Sequence, residues 1–311
     1  MKRRSFLIAA GLAATLSGQV HADPTDSEYD GKSANQSAKA RLRLSSQAPL
    51  IPGKTIAEKA AFCKKCGIEA LELNYGTYRD TRQARKELDD AGLVPSILHG
   101  VGPCGLICSD DTSQHAKGIE TIQRAIEAAH LLGGLGFLLV PAFHGTTKLS
   151  HQEIRKALLD TLPPLAQMAG EAGTSIIFEP LNRGENSFLR LVSDGAALAR
   201  DIAEQCTGAG KNGIKTMGDF YHMAIEETDM MGAFISGGKY LQHVHLAGGP
   251  SDPRRTLPGQ NATRFVEGFR GLKYIGYDKF CSFECGVKGD KEIEIPKACA
   301  FLRREWELAE I

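Results

Sequence analysis

Four apolar runs in this chain each end on a side chain that can take part in acid–base or metal chemistry. The clearest is 176–178, Ile-Ile-Phe, which leads directly into Glu179. A short apolar run that ends on a polar group before a turn predicts a buried parallel strand. The three later runs end on Asp219, His245 and Glu284. Because parallel strands present functional groups at their carboxyl ends, the pattern predicts chemistry at these four positions.

The four residue types together point to a divalent cation. Three carboxylates at the ends of neighbouring strands would repel one another and raise one another's pKa values unless a cation lay among them. One imidazole and three carboxylates favour Mn²⁺, Mg²⁺ or Co²⁺ with open coordination positions over a closed structural zinc site. A single such residue would more simply be an ion pair on a loop. Four at corresponding strand ends predict one metal ion, bound by Glu179, Asp219, His245 and Glu284.

Two further residues face the same region, each with two interpretations left open. His243 lies two positions before His245 and therefore points to the same side of its strand, as a packing residue or as a support for a ligand. Glu72 ends an earlier predicted strand, where it either reaches the pocket or forms a salt bridge.

The elements that must position these residues alternate regularly between residues 40 and 308. Strands are predicted at 41–45, 69–73, 93–98, 136–140, 176–179, 213–219, 240–246 and 279–284. Helices are predicted at 55–66, 79–91, 114–132, 150–170, 190–206, 262–270 and 291–308, with a helix or turn after His222 and a kink or break at Pro163 and Pro164. Eight strand–helix units predict an α/β fold with a single closed (β/α)₈ or TIM barrel. The competing doubly wound sheet lacks a GxGxxG turn after its first strand.

The first 39 residues carry a different pattern. Residues 1–22 combine Arg3 and Arg4, a short apolar stretch and a small-residue cleavage site, which predicts a signal peptide of the twin-arginine type and a periplasmic protein. The apolar stretch is too short to be a membrane anchor. Residues 23–39 are polar and predict a flexible leader. The predicted barrel domain is 40–308.

Composition excludes some partners and leaves cysteine pairing open. The 311 residues carry 37 basic and 37 acidic side chains, so electrostatics give no reason to expect nucleic acid or, after signal removal, a membrane as partner. The eight cysteines are in an exported chain, where disulfides are permitted. Buried free thiols are nevertheless the expectation for most of them, with a Cys104–Cys108 bridge as the alternative.

Several motifs resemble the xylose-isomerase-like sugar isomerase and epimerase barrels, which include ketose 3-epimerases and hydroxypyruvate isomerase. They are Glu179-Pro-Leu-Asn with Glu185, Gly218-Asp219-Phe-Tyr-His222, His243-Val-His245, Arg255-Thr-Leu-Pro-Gly259 and Ser282-Phe-Glu284. The resemblance implies that the four strand-end residues bind one divalent ion and that Glu179 and Glu284 exchange protons with the substrate through an enediolate. It also implies substrate contacts from Glu185, His222 and Arg255, and either homodimers or homotetramers.

The loop after strand seven departs from the family pattern. It carries Gly248-Gly249-Pro250 where many members have an acidic residue, and Arg254-Arg255 follow several residues later than expected. No glycine-rich phosphate cradle is present in the sequence, and exported enzymes seldom meet sugar phosphates. The expected substrate is therefore a free sugar, a keto-sugar or a glycoside.

Three functions are consistent with these observations. The first is a metal-dependent isomerase or epimerase of a small hydroxy-carbonyl compound, either a keto-sugar or a hydroxy-keto acid such as hydroxypyruvate. The second is a metal-dependent lyase or dehydratase, in which the same enediolate expels a leaving group from a 3-keto-glycoside or an inosose. The third is a non-catalytic periplasmic sugar-binding barrel, for which two opposed carboxylates would have no purpose.

Overall fold

The computed structural model describes residues 39–102, 104–251 and 254–311, with the backbone only for Cys104. The predicted signal peptide at 1–22 and all but the last residue of the predicted leader at 23–39 lie outside the described residues. The strands and helices described below run from residue 43 to residue 308.

Within the described ranges, eight parallel strands form a closed barrel in which each strand pairs with the next and β8 pairs with β1. This confirms the predicted (β/α)₈ barrel. The strands are β1 Arg43–Gln47, β2 Ile68–Asn74, β3 Val94–His99, β4 Phe137–Leu139, β5 Ile176–Phe178, β6 Ile214–Asp219, β7 Leu241–Leu246 and β8 Phe280–Phe283.

The α-helices of the described residues follow the strands as the alternation predicts. They are α1 Ile56–Cys66, α2 Thr81–Ala91, α3 Thr112–Leu132, α4 His151–Glu171, α5 Val192–Ala203, α6 Phe220–Glu226, α7 Met230–Gly237, α8 Val266–Tyr274 and α9 Lys291–Leu308. Local signals fix several boundaries. Thr55 and Glu58 form a capping box at the start of α1, and Gly67 ends that helix with a left-handed φ of 63°.

Several helices differ from the sequence expectation: α8 lies at Val266–Tyr274 rather than 262–270, α7 was not predicted as a separate helix, and α4 and α6 differ as follows. Helix α4 continues through Pro163 and Pro164 instead of breaking. Its buried face, which includes Leu158, Leu162 and Leu165, packs well enough to outweigh the backbone hydrogen bonds that proline cannot donate. Helix α6 begins at Phe220, before His222 rather than after it, because the side chain of Asp219 accepts a hydrogen bond from the backbone of Tyr221 and caps the helix.

Apolar side chains fill two regions on either side of the strand wall. The larger core lies between strands and helices, and the smaller one, formed by Ile97, Ile177 and Met217, fills the barrel interior. Polar residues that share the interior therefore occupy a closed, water-poor space, which strengthens their electrostatic interactions.

The described cysteines are free thiols: Cys63, Cys66, Cys108, Cys206, Cys281, Cys285 and Cys299. Since Cys108 is among them, the alternative of a Cys104–Cys108 bridge is not realised. Among the described residues, no helix combines the length and the apolar character that crossing a membrane requires.

Candidate active site

The barrel brings the four strand-end residues to one place. Glu179 and Glu284 directly follow β5 and β8, Asp219 is the last residue of β6, and His245 is the last but one of β7. One potential ligand atom from each lies within 4.8 Å of the others. Asp219 and His245 are buried, Glu179 is 8% exposed, and Glu284 is partly exposed. The predicted set is thus assembled at the carboxyl-end mouth of the barrel.

Asp219 is held by the start of α6. Its Oδ1 accepts a hydrogen bond from the backbone N–H of Tyr221 at 2.8 Å, which leaves Oδ2 facing the cluster. The preceding residue has to be glycine, because a Cβ at Gly218 would lie 2.7 Å from the ring of Phe234. The Gly-Asp motif therefore serves both packing and placement of the carboxylate.

His245 faces a different partner with each ring nitrogen. Its Nε2 lies 3.1 Å from Glu72 Oε2. Its Nδ1 lies 2.8 Å from Glu284, 3.6 Å from Glu179 and 3.9 Å from Asp219. Among the described residues this buried Nδ1 has no partner aligned as in a regular hydrogen bond, and its 2.8 Å approach to Glu284 is an ion-pair contact. A buried nitrogen without a regular hydrogen bond, surrounded by three carboxylates, is the arrangement expected of a ligand for a hard divalent cation.

The two glutamates have opposite electrostatic environments. Burial raises the pKa of Glu179, and the nearby carboxylates of Glu284 and Asp219 add to that effect. Burial would also raise the pKa of Glu284, but the charges of His245 and Arg255 lower it to about 2. A pair of carboxyl groups in unlike environments is a common arrangement for proton transfer in two directions.

Arg255 supplies positive charge at the edge of the cluster. Its guanidinium donates to Asp219 Oδ2 at 3.0 Å and forms an ion pair with Glu284. The residue adopts a left-handed φ of 50°, which costs a non-glycine residue on the order of 1–3 kcal/mol. Backbone hydrogen bonds to Gly248 and from Gly286 hold it in that conformation.

A polar group beside the cluster contains the predicted substrate contacts His222 and Glu185. The backbone N–H of Asn182 donates to His222 Nδ1 at 3.2 Å, and its side-chain amide donates to Glu185 at 2.8 Å. Arg255 Nη1 lies 3.1 Å from His222 Nε2. The structure therefore places the three predicted substrate contacts in one connected group next to the four strand-end residues.

Two cavities meet at Glu179 and Glu284. The first, of about 660 Å³, is lined mainly by polar side chains that include Asn182, Glu185, His222 and Arg255. The second, of about 490 Å³, is lined by His99 and by apolar side chains that include Leu106 and Leu138. Val140 and Phe143 line both. The mouth of the barrel thus offers a polar and a largely apolar compartment on either side of the two glutamates.

Sequence reasoning gave no role to one residue of this site and two alternative interpretations to another. Asn182 had a visible signal, since it closes the Glu-Pro-Leu-Asn motif, but no role had been inferred for it. Glu72 was left between a pocket residue and a salt bridge. In the structure its carboxylate is buried against His243 and His245. Its partners lie 171 and 173 residues away in the chain, so no local pattern could reveal them.

Comparison with known proteins gives a consistent result. A profile described as xylose isomerase-like TIM barrel matches residues 60–305. The chain is 27% identical to 3-dehydro-D-guloside 4-epimerase of Escherichia coli over 80% of its length and 94% of that protein. It is also 27% identical to D-psicose 3-epimerase of Agrobacterium fabrum, over 72% of this chain and 77% of that one.

A solved structure shows the same architecture. The crystal structure of 3-keto-D-glucoside 4-epimerase from E. coli superposes with a TM-score of 0.71 at 26% identity, and the match covers 85% of this chain and 99% of that one. The family profile spans most of the barrel, from α1 to α9. The chain belongs to the xylose isomerase-like TIM barrel family.

Proposed function

We propose that this protein is a divalent-metal-dependent epimerase or isomerase of a keto-sugar. Its relatives are sugar epimerases, which supports an isomerase that acts on a small carbohydrate. The observation that carries the proposal is the cluster of Glu179, Asp219, His245 and Glu284, whose two glutamates also border both cavities.

The donor set fits a divalent cation such as Mn²⁺, Mg²⁺ or Co²⁺. Three carboxylates and the Nδ1 of His245 would hold it. The single charge of Arg255, which contacts Asp219 and Glu284, offsets only part of the repulsion among three carboxylates, and a divalent ion would offset the rest. When bound, such an ion stabilises negative charge that develops on a substrate carbonyl oxygen.

The two glutamates are placed to move a proton. One carboxylate takes the proton from the carbon next to the substrate carbonyl, which leaves an enediolate, and the other returns a proton. Return to the opposite face of the same carbon inverts its configuration. Return to the former carbonyl carbon, with the hydroxyl proton passing from one oxygen of the enediolate to the other, moves the carbonyl. Asn182, Glu185, His222 and Arg255 present donors and acceptors that can bind and orient the hydroxyl groups.

The two-part cavity favours a glycoside over a free ketose. Each compartment alone is within the range of about 300–1,000 Å³ that holds a small organic ligand, and the two meet at the glutamates. If the keto-sugar ring binds in the polar compartment, its glycosidic substituent would extend into the largely apolar compartment. The names of the two E. coli relatives, 3-dehydro-D-guloside and 3-keto-D-glucoside 4-epimerase, agree with such a substrate.

One experiment separates this function from its two competitors. The purified protein is incubated in heavy water with a free ketose and, separately, with a 3-keto-glycoside. We expect deuterium at one carbon of the keto-glycoside without loss of its substituent. Release of the aglycone would indicate the lyase instead. Binding without exchange into any tested keto-sugar would favour the non-catalytic sugar-binding barrel.

Arg255 provides a first prediction. Replacing it with Lys keeps the charge but removes the planar fork that contacts Asp219, Glu284 and His222. We expect kcat/KM to fall about 10- to 100-fold, as for loss of a charged hydrogen bond of about 1.5–3 kcal/mol, with most of the change in KM. Steady-state kinetics test this. Arg82→Lys is the matched control, because Arg82 is exposed on α2 and lines neither cavity, and an equal effect of both variants would contradict a specific role.

We also propose export by the twin-arginine route, from the sequence of residues 1–22. Replacing both Arg3 and Arg4 with Lys keeps the charge of the segment and removes the paired arginines. We expect the double variant to accumulate in the cytoplasm while the parent is recovered from the periplasm, as measured by cell fractionation and immunoblotting. Lys2→Arg serves as the control, and periplasmic recovery of the double variant would overturn this route.

A further inference from the structure

Glu72 is a buried carboxylate that the proposed chemistry does not use. It lies in β2 and is 0% exposed, as are His243 and His245 of β7. Its Oε2 lies 3.2 Å from Nε2 of His243 and 3.1 Å from Nε2 of His245. Its Oε1 accepts a hydrogen bond from the side chain of Gln47 at 3.1 Å. A carboxylate that is buried away from water stays ionised only if hydrogen-bond donors surround it.

This contact determines which nitrogen of His245 carries hydrogen. An ionised carboxylate only accepts hydrogen bonds, so the Nε2 atoms of both histidines must be the donors. The lone pair that His245 can offer to a cation is then on Nδ1. That nitrogen lies among the carboxylates of Glu179, Asp219 and Glu284, with Glu284 closest at 2.8 Å, so it faces the groups that would share a cation with it.

The same three groups could instead be a second metal site, since Glu72, His243 and His245 also offer ligand atoms within 4.8 Å of one another. The hydrogen bonds argue against that alternative. A cation there would replace the protons of both Nε2 atoms. It would also have to lose its water in a position where all three side chains are fully buried.

We propose that Glu72 is a positioning residue that fixes His245 as the Nε2–H tautomer, with Nδ1 presented to a divalent cation. The inference rests on the proposed function, because Glu72 would act by orienting His245 in the metal site which that function requires. Hydrogen bonds of this kind from a ligating histidine to a carboxylate orient the ring, and their removal typically costs about 10- to 100-fold in metal affinity. His243 shares the same carboxylate oxygen and helps to hold Glu72 in place.

The test is the Mn²⁺ affinity of the purified full-length protein, measured by competition with a chelator. Glu72→Gln keeps the size of the side chain but removes its charge. An amide oxygen in the place of Oε2 is a weaker acceptor for both Nε2–H groups, and an amide nitrogen in the place of Oε1 cannot accept from Gln47. We expect the variant to bind Mn²⁺ about 10- to 100-fold more weakly than the parent. Glu69→Gln is the matched control on the same strand, because Glu69 forms an exposed pair with Arg43; it should change the affinity by no more than about twofold.

Each alternative gives a different result. Unchanged affinity in a folded Glu72→Gln variant would overturn the proposal. Two Mn²⁺ ions per parent chain and one per Glu72→Gln chain would also overturn it, because Glu72 would then be a ligand. A parent that binds no divalent ion would refute the proposed function itself, whereas a parent that binds one ion with an unaffected variant would refute only the role of Glu72.

A second measurement applies if Glu72→Gln does not fold. In parent protein labelled with ¹⁵N-histidine and loaded with Zn²⁺ as a diamagnetic probe, a long-range ¹H–¹⁵N spectrum reports the tautomer of each ring. His243→Gln distinguishes the signals of the two buried histidines. We expect His245 to carry its hydrogen on Nε2 and to show a metal-induced shift at Nδ1. Hydrogen on Nδ1 and a metal-induced shift at Nε2 would overturn the proposal.

Discussion

Replacing either Glu179 or Glu284 with Gln is expected to abolish epimerisation of the keto-sugar substrate, and to abolish deuterium exchange from the epimer whose proton faces the replaced residue. Each variant keeps the shape of the side chain but loses the group that accepts or returns a proton. General acid–base catalysis contributes about 10²- to 10⁴-fold to such reactions, and we expect a loss of at least that size. The measurements, both made by NMR in heavy water, are conversion between the two epimers and exchange at the carbon next to the carbonyl, starting from each epimer.

Both residues are also candidate metal ligands, so the design has to separate the two roles. Metal content is measured on each variant, and exchange is measured again at saturating Mn²⁺. A loss that persists with metal bound belongs to proton transfer. Glu307→Gln, on the exposed face of α9, is the control and should behave like the parent. Epimerisation by either site variant at a rate within about tenfold of the parent would contradict proton transfer by that glutamate.

Removal of divalent metal is expected to reduce activity to background and to lower stability. A ligand present at 1,000 times its Kd stabilises the native state by about 4 kcal/mol, and chelation removes that contribution. Adding Mn²⁺, Mg²⁺ or Co²⁺ to the stripped protein should restore activity, and the order of recovery would identify the preferred ion. Activity assays and thermal unfolding with and without chelator make the comparison.

Asp219→Asn is the matched variant for this experiment. Its side-chain oxygen can still accept the hydrogen bond from Tyr221 that starts α6, so the helix should remain, while the charge that faces the cluster is lost. We expect its unfolding temperature to be independent of added metal. Full activity of rigorously metal-free parent protein would contradict a metal-dependent mechanism.

Much of this site was predictable because its main residues are marked by local sequence. Apolar runs of strand length predict buried parallel strands, and a polar residue at the end of such a run predicts a position at the mouth of the barrel. The regular alternation with helices predicts closure of the sheet. For this reason Glu179, Asp219, His245 and Glu284 could be grouped before any distance was known.

The contacts between distant strands could not be predicted in the same way. The sequence alone determined the strand–helix order, the closed barrel and the side chains at the ends of its last four strands, because each depends on residues close together in the chain. Only the tertiary structure decided that Glu72 reaches His243 and His245, and that Arg255 reaches Asp219 and Glu284. These contacts depend on the register between strands and on the left-handed conformation of Arg255, which the residues next to the joined groups do not reveal.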